Sequence, residues 1–286
     1  MALVGSYVGL SKILVAVFPV FLLALLRFGI AAVAMAGWIR RDATEPRLDA
    51  RERRLIFLES FFGNFLFSVC MLYGVSMSSA LAAGVIMAGI PAAVALLSRI
   101  FLHERIALPT LLGIACAVAG IALVSLTKEA DPARQTSILG SLLLIAAVVC
   151  EAVYVVIGKK LTGNVSPKRI SALINLWGLA LVLPFGLWQA LRFDFGSVAP
   201  GSWWLLVFYS IAASVVTVWL WMTGLKHVPA SKAGIFTVLL PVSAATVGVL
   251  FLGERVSAMQ AAGLTLALVG LALPHVRTSR RSPLSP

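Results

Sequence analysis

The residues of this chain that could do chemistry stand inside long apolar runs. Lys12 lies in VGLSKILVA, Arg27 in LLRFGIA and Glu151 in VVCEAVYVV. A charge at the centre of a membrane helix costs about 2.5 to 3.5 kcal/mol on insertion scales, so it is expected to face a cavity or a partner. Arg27 has two readings: a structural pair with Glu59 or with a backbone carbonyl, or an anchor for a substrate carboxylate. Glu151 precedes Tyr154 by three residues, which puts both on one helix face. It could pair with a base such as Lys12, bind a substrate ammonium or carry a coupling proton. Lys12, near a helix end, could equally snorkel to the headgroups. Asn64, Tyr73 and Asn175 bring neutral hydrogen-bonding groups into the runs, where bonds between helices compete with substrate contact. Trp177, Trp219 and Trp221 lie deeper than Trp38, Trp203 and Trp204, which mark run ends as interfacial anchors. Because Trp219 and Trp221 are two apart, at most one of them can line a cavity. The candidate binding set is therefore Arg27, Asn64, Tyr73, Glu151, Tyr154, Asn175, Trp177 and Trp219, with Lys12 and Glu151 as candidates for ion coupling.

None of this resembles a centre for covalent catalysis. His103, His227 and His275 fall at predicted membrane edges, and neither GxSxG nor HExxH occurs. Cys70, Cys116 and Cys150 sit singly in apolar runs without CxxC spacing, as small packing residues and not as disulfides or metal ligands. The chain lacks the GxxxxGK[ST] loop of an ATP-hydrolysing motif. No enzyme activity, cofactor or metal is expected, and movement of a substrate would be facilitated or driven by an ion gradient.

Composition places these groups in lipid. Of the 286 residues 60% are hydrophobic and 12% charged, and the mean hydropathy is +1.01. That is more apolar surface than a soluble fold buries. The net charge of +12 is spread between apolar runs and does not form a solvated patch, so nucleic acid is not an expected partner. Ten runs of roughly the spanning length fall near 1–16, 18–38, 55–76, 79–101, 107–126, 137–158, 169–191, 203–224, 230–251 and 256–275. Breaks between them fall at Pro19, Pro109, Pro132, Pro167, Pro200 and Pro229. The N-terminal run lacks the basic flank and cleavage site of a secretory signal.

The positive-inside rule orients the runs. With the N-terminus in the cytoplasm, 17 of the 23 Lys and Arg fall inside and 5 outside, with Arg27 within a span. Both termini are then cytoplasmic. A repeat sharpens the picture: residues 80–124 overlay 230–274 at a shift of 150, with 14 of 45 positions identical. The identities include Pro91 with Pro241, Glu104-Arg105 with Glu254-Arg255, Gly113 with Gly263 and Gly120 with Gly270. Five spans per unit make the two copies cross the membrane in opposite senses. Inverted repeats of this kind build two similar gates on opposite faces and a site between them, the arrangement of alternating access. Pro91 and Pro241, each inside a run, are expected to kink equivalent helices and to serve in gating. The Glu-Arg links are read as helix-capping scaffold of the gates.

Lys12, Arg27, LYGVSMSSALAAGVIMAGIP with Pro91, FLHER with Glu104, TGLKHVPASKAGIFTVLLP with Pro241 and FLGER with Glu254 together resemble the drug/metabolite transporter superfamily, specifically its EamA-type permeases. The resemblance covers essentially the whole chain. It implies an all-α, multi-pass protein of the cytoplasmic (inner) membrane with ten transmembrane helices in two inverted five-helix repeats, here 1–127 and 137–276, and a cytoplasmic tail at 277–286. It also implies a monomer that exports amino acids or related small metabolites, with amphiphilic drugs and then nucleosides or sugars as the next choices of cargo. The stretch ahead of Lys12 is shorter than the family's usual first helix.

Overall fold

The computed structural model describes residues 2–41, 45–87, 89–102 and 137–227, together with helical positions at 112, 115–116, 119, 243, 247, 249–250, 258–259, 261–263, 265–266 and 269. Among these residues every regular element is helical and there is no strand. Helix α1 (Ala2–Val17) leads to α2 (Val20–Ala34) across Phe18-Pro19, and the axes on either side of that break differ by 116°. Pro19 enforces the break because it cannot donate to the preceding turn. After a 3-10 turn at Ala36–Ile39, α3 (Ala50–Ser76) opens on a capping box. The Asp49 carboxylate accepts from Glu52 N at 2.6 Å, and Asp49 N donates to Glu52 Oε2 at 3.0 Å.

Next come α4 (Ala80–Met87) and α5 (Ile90–Leu102), with Gly89 in a turn ahead of α5; together they supply one membrane-length apolar run, 82–101. Pro91 occupies the second position of α5, where its missing amide is not needed. Pro91 therefore stands in the first turn of a helix and not in a helix interior. Three long helices complete the described fold: α6 (Ile138–Leu161), capped by Ser137 Oγ on Gly140 N at 2.9 Å; α7 (Pro167–Ala190); and α8 (Pro200–His227).

Five of these runs are long and apolar enough to cross a membrane, or six if the bent α1–α2 pair is one broken span. The protein is therefore a multi-pass membrane protein. The runs expected at 107–126, 230–251 and 256–275 lie, apart from isolated helical positions, outside the described residues, as do Pro241, Glu104, Arg105, Glu254 and Arg255.

Helix α3 is the hub, packed on α6 along one side and on α7 along another, while α2 lies along α7 and α5 along α6. Leu14, Phe18, Leu22, Leu23, Phe28, Met71, Leu72, Leu144 and Ile174 fill the interior between them. Lipid supplies no hydrophobic drive for helices to hide apolar faces from one another, so close approach at small residues matters most. At Gly186 of α7 an added methyl group would stand 2.6 Å from Leu25 Cβ and 2.9 Å from the Phe21 carbonyl of α2. One turn further along α7, Leu22 N donates to Gln189 Oε1 at 2.9 Å.

A regularity invisible in the sequence concerns the backbone. Helix α3 passes through a π turn at Phe61–Leu66, and α8 passes through another at Ile211–Val216. The two stand 150 positions apart, the same shift as the sequence repeat, although FFGNFL and IAASVV share no residue. The π turn is rare and concentrates at functional sites.

Gly186→Ala should overpack the α2–α7 contact by about 1 to 3 kcal/mol and lower the melting temperature of the purified protein. Gly201→Ala, where nothing lies within 4 Å, should leave it unchanged or slightly higher. Equal melting temperatures for the two variants would show that α2 and α7 are not in this register.

Candidate functional site

The first π turn organises the polar interior. Ser60, Asn64 and Ser68 recur every fourth residue along α3, so an apolar helix presents one polar stripe, and the π turn at 61–66 lies within it. Ser60 Oγ donates to the Ile174 carbonyl of α7 at 2.6 Å, and Asn64 Nδ2 donates to the same oxygen at 2.7 Å. The next residue, Asn175, turns to the other neighbour and donates from Nδ2 to the Phe28 carbonyl of α2 at 3.0 Å. Arg27, only 5% exposed, donates from Nη2 to Ser68 Oγ at 2.6 Å, and the Ser68 hydroxyl is donated in turn to the Asn64 carbonyl. The guanidinium carbon also stands 4.3 Å from the centre of the Phe28 ring.

Three of the sequence candidates, Arg27, Asn64 and Asn175, are thus drawn into one layer across α2, α3 and α7. The layer offers a guanidinium, two amides and two hydroxyls, and Asn175 Oδ1 is buried without a hydrogen bond. Such a set has the donors to hold an anion or a carboxylate with neighbouring polar groups. It contains no nucleophile set against a base, and the described residues hold no group of His, Cys, Asp or Glu that could hold a metal.

The other candidates stand around this layer. Tyr154 packs on the opposite side of the π turn: a methyl group at Gly63 would lie 2.8 Å from its ring carbon Cγ. Glu151, one turn earlier on α6, is partly exposed. Lys12 donates to the Ser78 carbonyl. Tyr73 meets Phe21 edge-on at 6.0 Å, and Phe21 stacks on Phe185 at 5.1 Å. Trp177 is 45% exposed and lies edge-on to Phe57, 5.2 Å away. Trp219 lies 5.9 Å from Trp38, while Trp221, two residues on, packs against the main core.

Two pairings open at the level of sequence are not formed among the described residues, Arg27 with Glu59 and Lys12 with Glu151. Arg27 is turned to Ser68, and Glu59 is fully enclosed without a hydrogen bond on either oxygen. Sequence reasoning passed over Ser60 and Ser68, although their four-residue spacing about Asn64 is a readable signal, and weighed Glu59 only as a partner for Arg27.

Below these groups, the link after α2 is tied to the start of α7. Glu45 accepts from Ser166 N at 2.7 Å and pairs with Arg169 Nη1 at 3.3 Å, and Asn164 Nδ2 donates to Glu52 at 3.0 Å.

Comparison with known proteins places this architecture. A solved crystal structure of another protein shares the fold, with a TM-score of 0.68 over 98% of this chain and 96% of that one at 19% identity. The chain is 33% identical to the uncharacterized transporter YetK of Bacillus subtilis over 95% of its own length and 83% of the relative's. It is 24% identical to the uncharacterized transporter YyaM of the same organism, over 93% of this chain and 88% of that one. An uncharacterized transporter of Archaeoglobus fulgidus matches at 28% over 87% and 86%. The profile of the EamA-like transporter family fits twice, at residues 1–126 and 138–274. A polytopic helical chain with a buried polar layer between its helices and two copies of this profile is a transporter and not an enzyme, and it belongs to the EamA-like transporter family.

Proposed function

We propose that this transporter moves amino acids or related small metabolites out of the cell across the cytoplasmic membrane by alternating access, without ATP. The observation that carries the reading is the Arg27–Ser68–Asn64 chain of hydrogen bonds and its junction with Asn175. It is buried, it can present a cation and amides to a substrate carboxylate, and it joins an early helix to a late one. Interactions across such a junction change when two units of a transporter rock against each other. Arg27 binds the carboxylate, Asn64 and Asn175 contribute hydrogen bonds, and Tyr154 with Glu151 serves the ammonium end or a coupling proton. Tyr73, Trp177 and Trp219 supply aromatic surface to the substrate's side chain, Lys12 is a second coupling candidate, and Pro91 and Pro241 serve the gates.

In this reading the chain is a monomer of ten spans in two inverted five-helix repeats, 1–127 and 137–276, with both termini and the tail 277–286 in the cytoplasm. The bonds from Glu45 to Ser166 and Arg169 support the assignment of sides, because they bring the Arg-rich 40–54 segment and the basic start of α7 to one end of the bundle.

Two outcomes follow. In proteoliposomes without ATP, a panel of labelled zwitterionic metabolites should yield at least one that shows counterflow, and Arg27→Ala should weaken its apparent affinity by about 10- to 100-fold, the range for losing a hydrogen bond to a charged group. Counterflow that appears only for amphiphilic drugs or nucleosides, or that is indifferent to Arg27→Ala, would sink the assignment. A fluorescent reporter that matures only in the cytoplasm, fused after Pro286, should light up. A dark fusion alongside an active periplasmic enzyme fusion at the same site would reverse the orientation.

A further inference from the structure

Glu59 is the most enclosed charged side chain among the described residues, and the binding layer does not use it. It lies on α3 immediately before the first π turn, is 0% exposed, and has no hydrogen bond on either carboxyl oxygen. Its place is shaped for it. Oε1 stands 2.7 Å from the point that a side-chain carbon would occupy at Gly158 of α6, and Met222 Cε of α8 lies 3.2 Å from the same point. The carboxyl therefore fills a notch that only glycine leaves open, with a methionine across it.

The groups that face this notch are few. From α6 comes Tyr154, with Glu151 one turn beyond, while Lys159 turns away to donate to the Leu225 carbonyl at 2.7 Å. From α7 the nearest base in sequence to the contact, Arg169, is taken by Glu45. From α8 comes Met222, and Lys226 and His227 at its end are exposed. On α3 itself, Arg53 and Arg54 are exposed. Among the described residues no cation meets Glu59.

An ionised carboxylate enclosed without a partner costs several kcal/mol, and a protonated one far less. Enclosure and proton occupancy are therefore linked. Beside the notch, α3 changes its hydrogen-bonding pattern at the π turn, a feature that is frequent at functional sites. We propose that Glu59 is a proton-carrying site of the transport cycle: the carboxyl holds one proton while α3, α6 and α8 enclose it, and releases that proton to water when the contact between them opens. The step is a simple exchange, carboxylic acid to carboxylate plus a proton taken up by water on the open side, and its reverse on closing. It rests on the transporter reading for its purpose, but not for its measurement.

Infrared difference spectra of the purified protein in nanodiscs, recorded between acid and alkaline buffer, test the site directly. The wild type should show a protonated-carboxyl C=O band that titrates. Glu59→Gln should lose it, and Glu151→Gln should keep it. Gly158→Ala, which places a methyl group where the carboxyl sits, should shift the band in a protein whose carboxyl is intact, so the site remains testable if Glu59→Gln folds poorly. An unchanged titrating band in Glu59→Gln, or an unshifted one in Gly158→Ala, overturns the proposal. With a transported metabolite in hand, accumulation driven by a pH gradient should vanish in Glu59→Gln and persist in Gly201→Ala; accumulation that survives Glu59→Gln overturns it too. If no metabolite moves even in the wild type, the transporter reading fails, while the infrared result still decides the site.

Discussion

The carbonyl of Ile174 is the knot on which the described fold depends. Helices in lipid gain little from burying apolar faces against one another, because the lipid tails they displace are equally apolar. What remains is close packing at small residues and the hydrogen bonds that cross between helices. Ile174 accepts two of these, from Ser60 and Asn64, and Asn175 beside it makes the third, to the Phe28 carbonyl. Two adjacent positions of α7 therefore hold α3 and α2. Such bonds average about 0.6 kcal/mol and rarely exceed 2 kcal/mol in membranes. Three of them specify one arrangement without welding it, which is compatible with the alternating access proposed above.

The π turns belong to the same economy of weak constraints. A π turn leaves part of the helix without its regular hydrogen bonds, and in lipid that backbone needs other partners. In α3 the Ser68 hydroxyl covers the Asn64 carbonyl, and Gly63 leaves room for the Tyr154 ring to close over the turn. The second turn recurs in α8 at the shift of the sequence repeat without any shared residue, so the duplicated property is the backbone deformation itself. The same deformation thus stands at matched places in two helices of dissimilar sequence.

How much of this was readable beforehand depends on what kind of signal each feature leaves. Span lengths and the break at Pro19 follow from apolar runs and a missing amide, and both are legible one residue at a time. The membership of Arg27, Asn64 and Asn175 in one polar group was half legible: polar residues in apolar runs stand out, but which of them meet depends on helix rotation. Ser60 and Ser68 were passed over because a serine is unremarkable alone, and only the four-residue spacing gives the stripe away. The π turns left no shared trace in composition, since FFGNFL holds the weak helix formers Gly63 and Asn64 while IAASVV holds neither. The pairing of Arg27 with Glu59, one of the alternatives open for Arg27, is not formed for a reason of position: the Ser68 hydroxyl lies within reach of the guanidinium, whereas the Glu59 carboxyl is turned to Gly158.

That separation bears on where the two halves divide their labour. At the shift of 150, Glu59 corresponds to Tyr209 and Ser60 to Ser210, each pair standing just ahead of a π turn. All four residues are buried. The serines are alike in type but not in use, for Ser60 reaches across to α7 while Ser210 bonds the Leu206 carbonyl of its own helix at 2.7 Å. Glu59 and Tyr209 differ in kind: one is a carboxyl group, the other a phenol. Under the proposal made for Glu59, proton binding at this place belongs to one copy of the family profile alone, because that copy holds an enclosed carboxyl beside its π turn where the other holds a phenol.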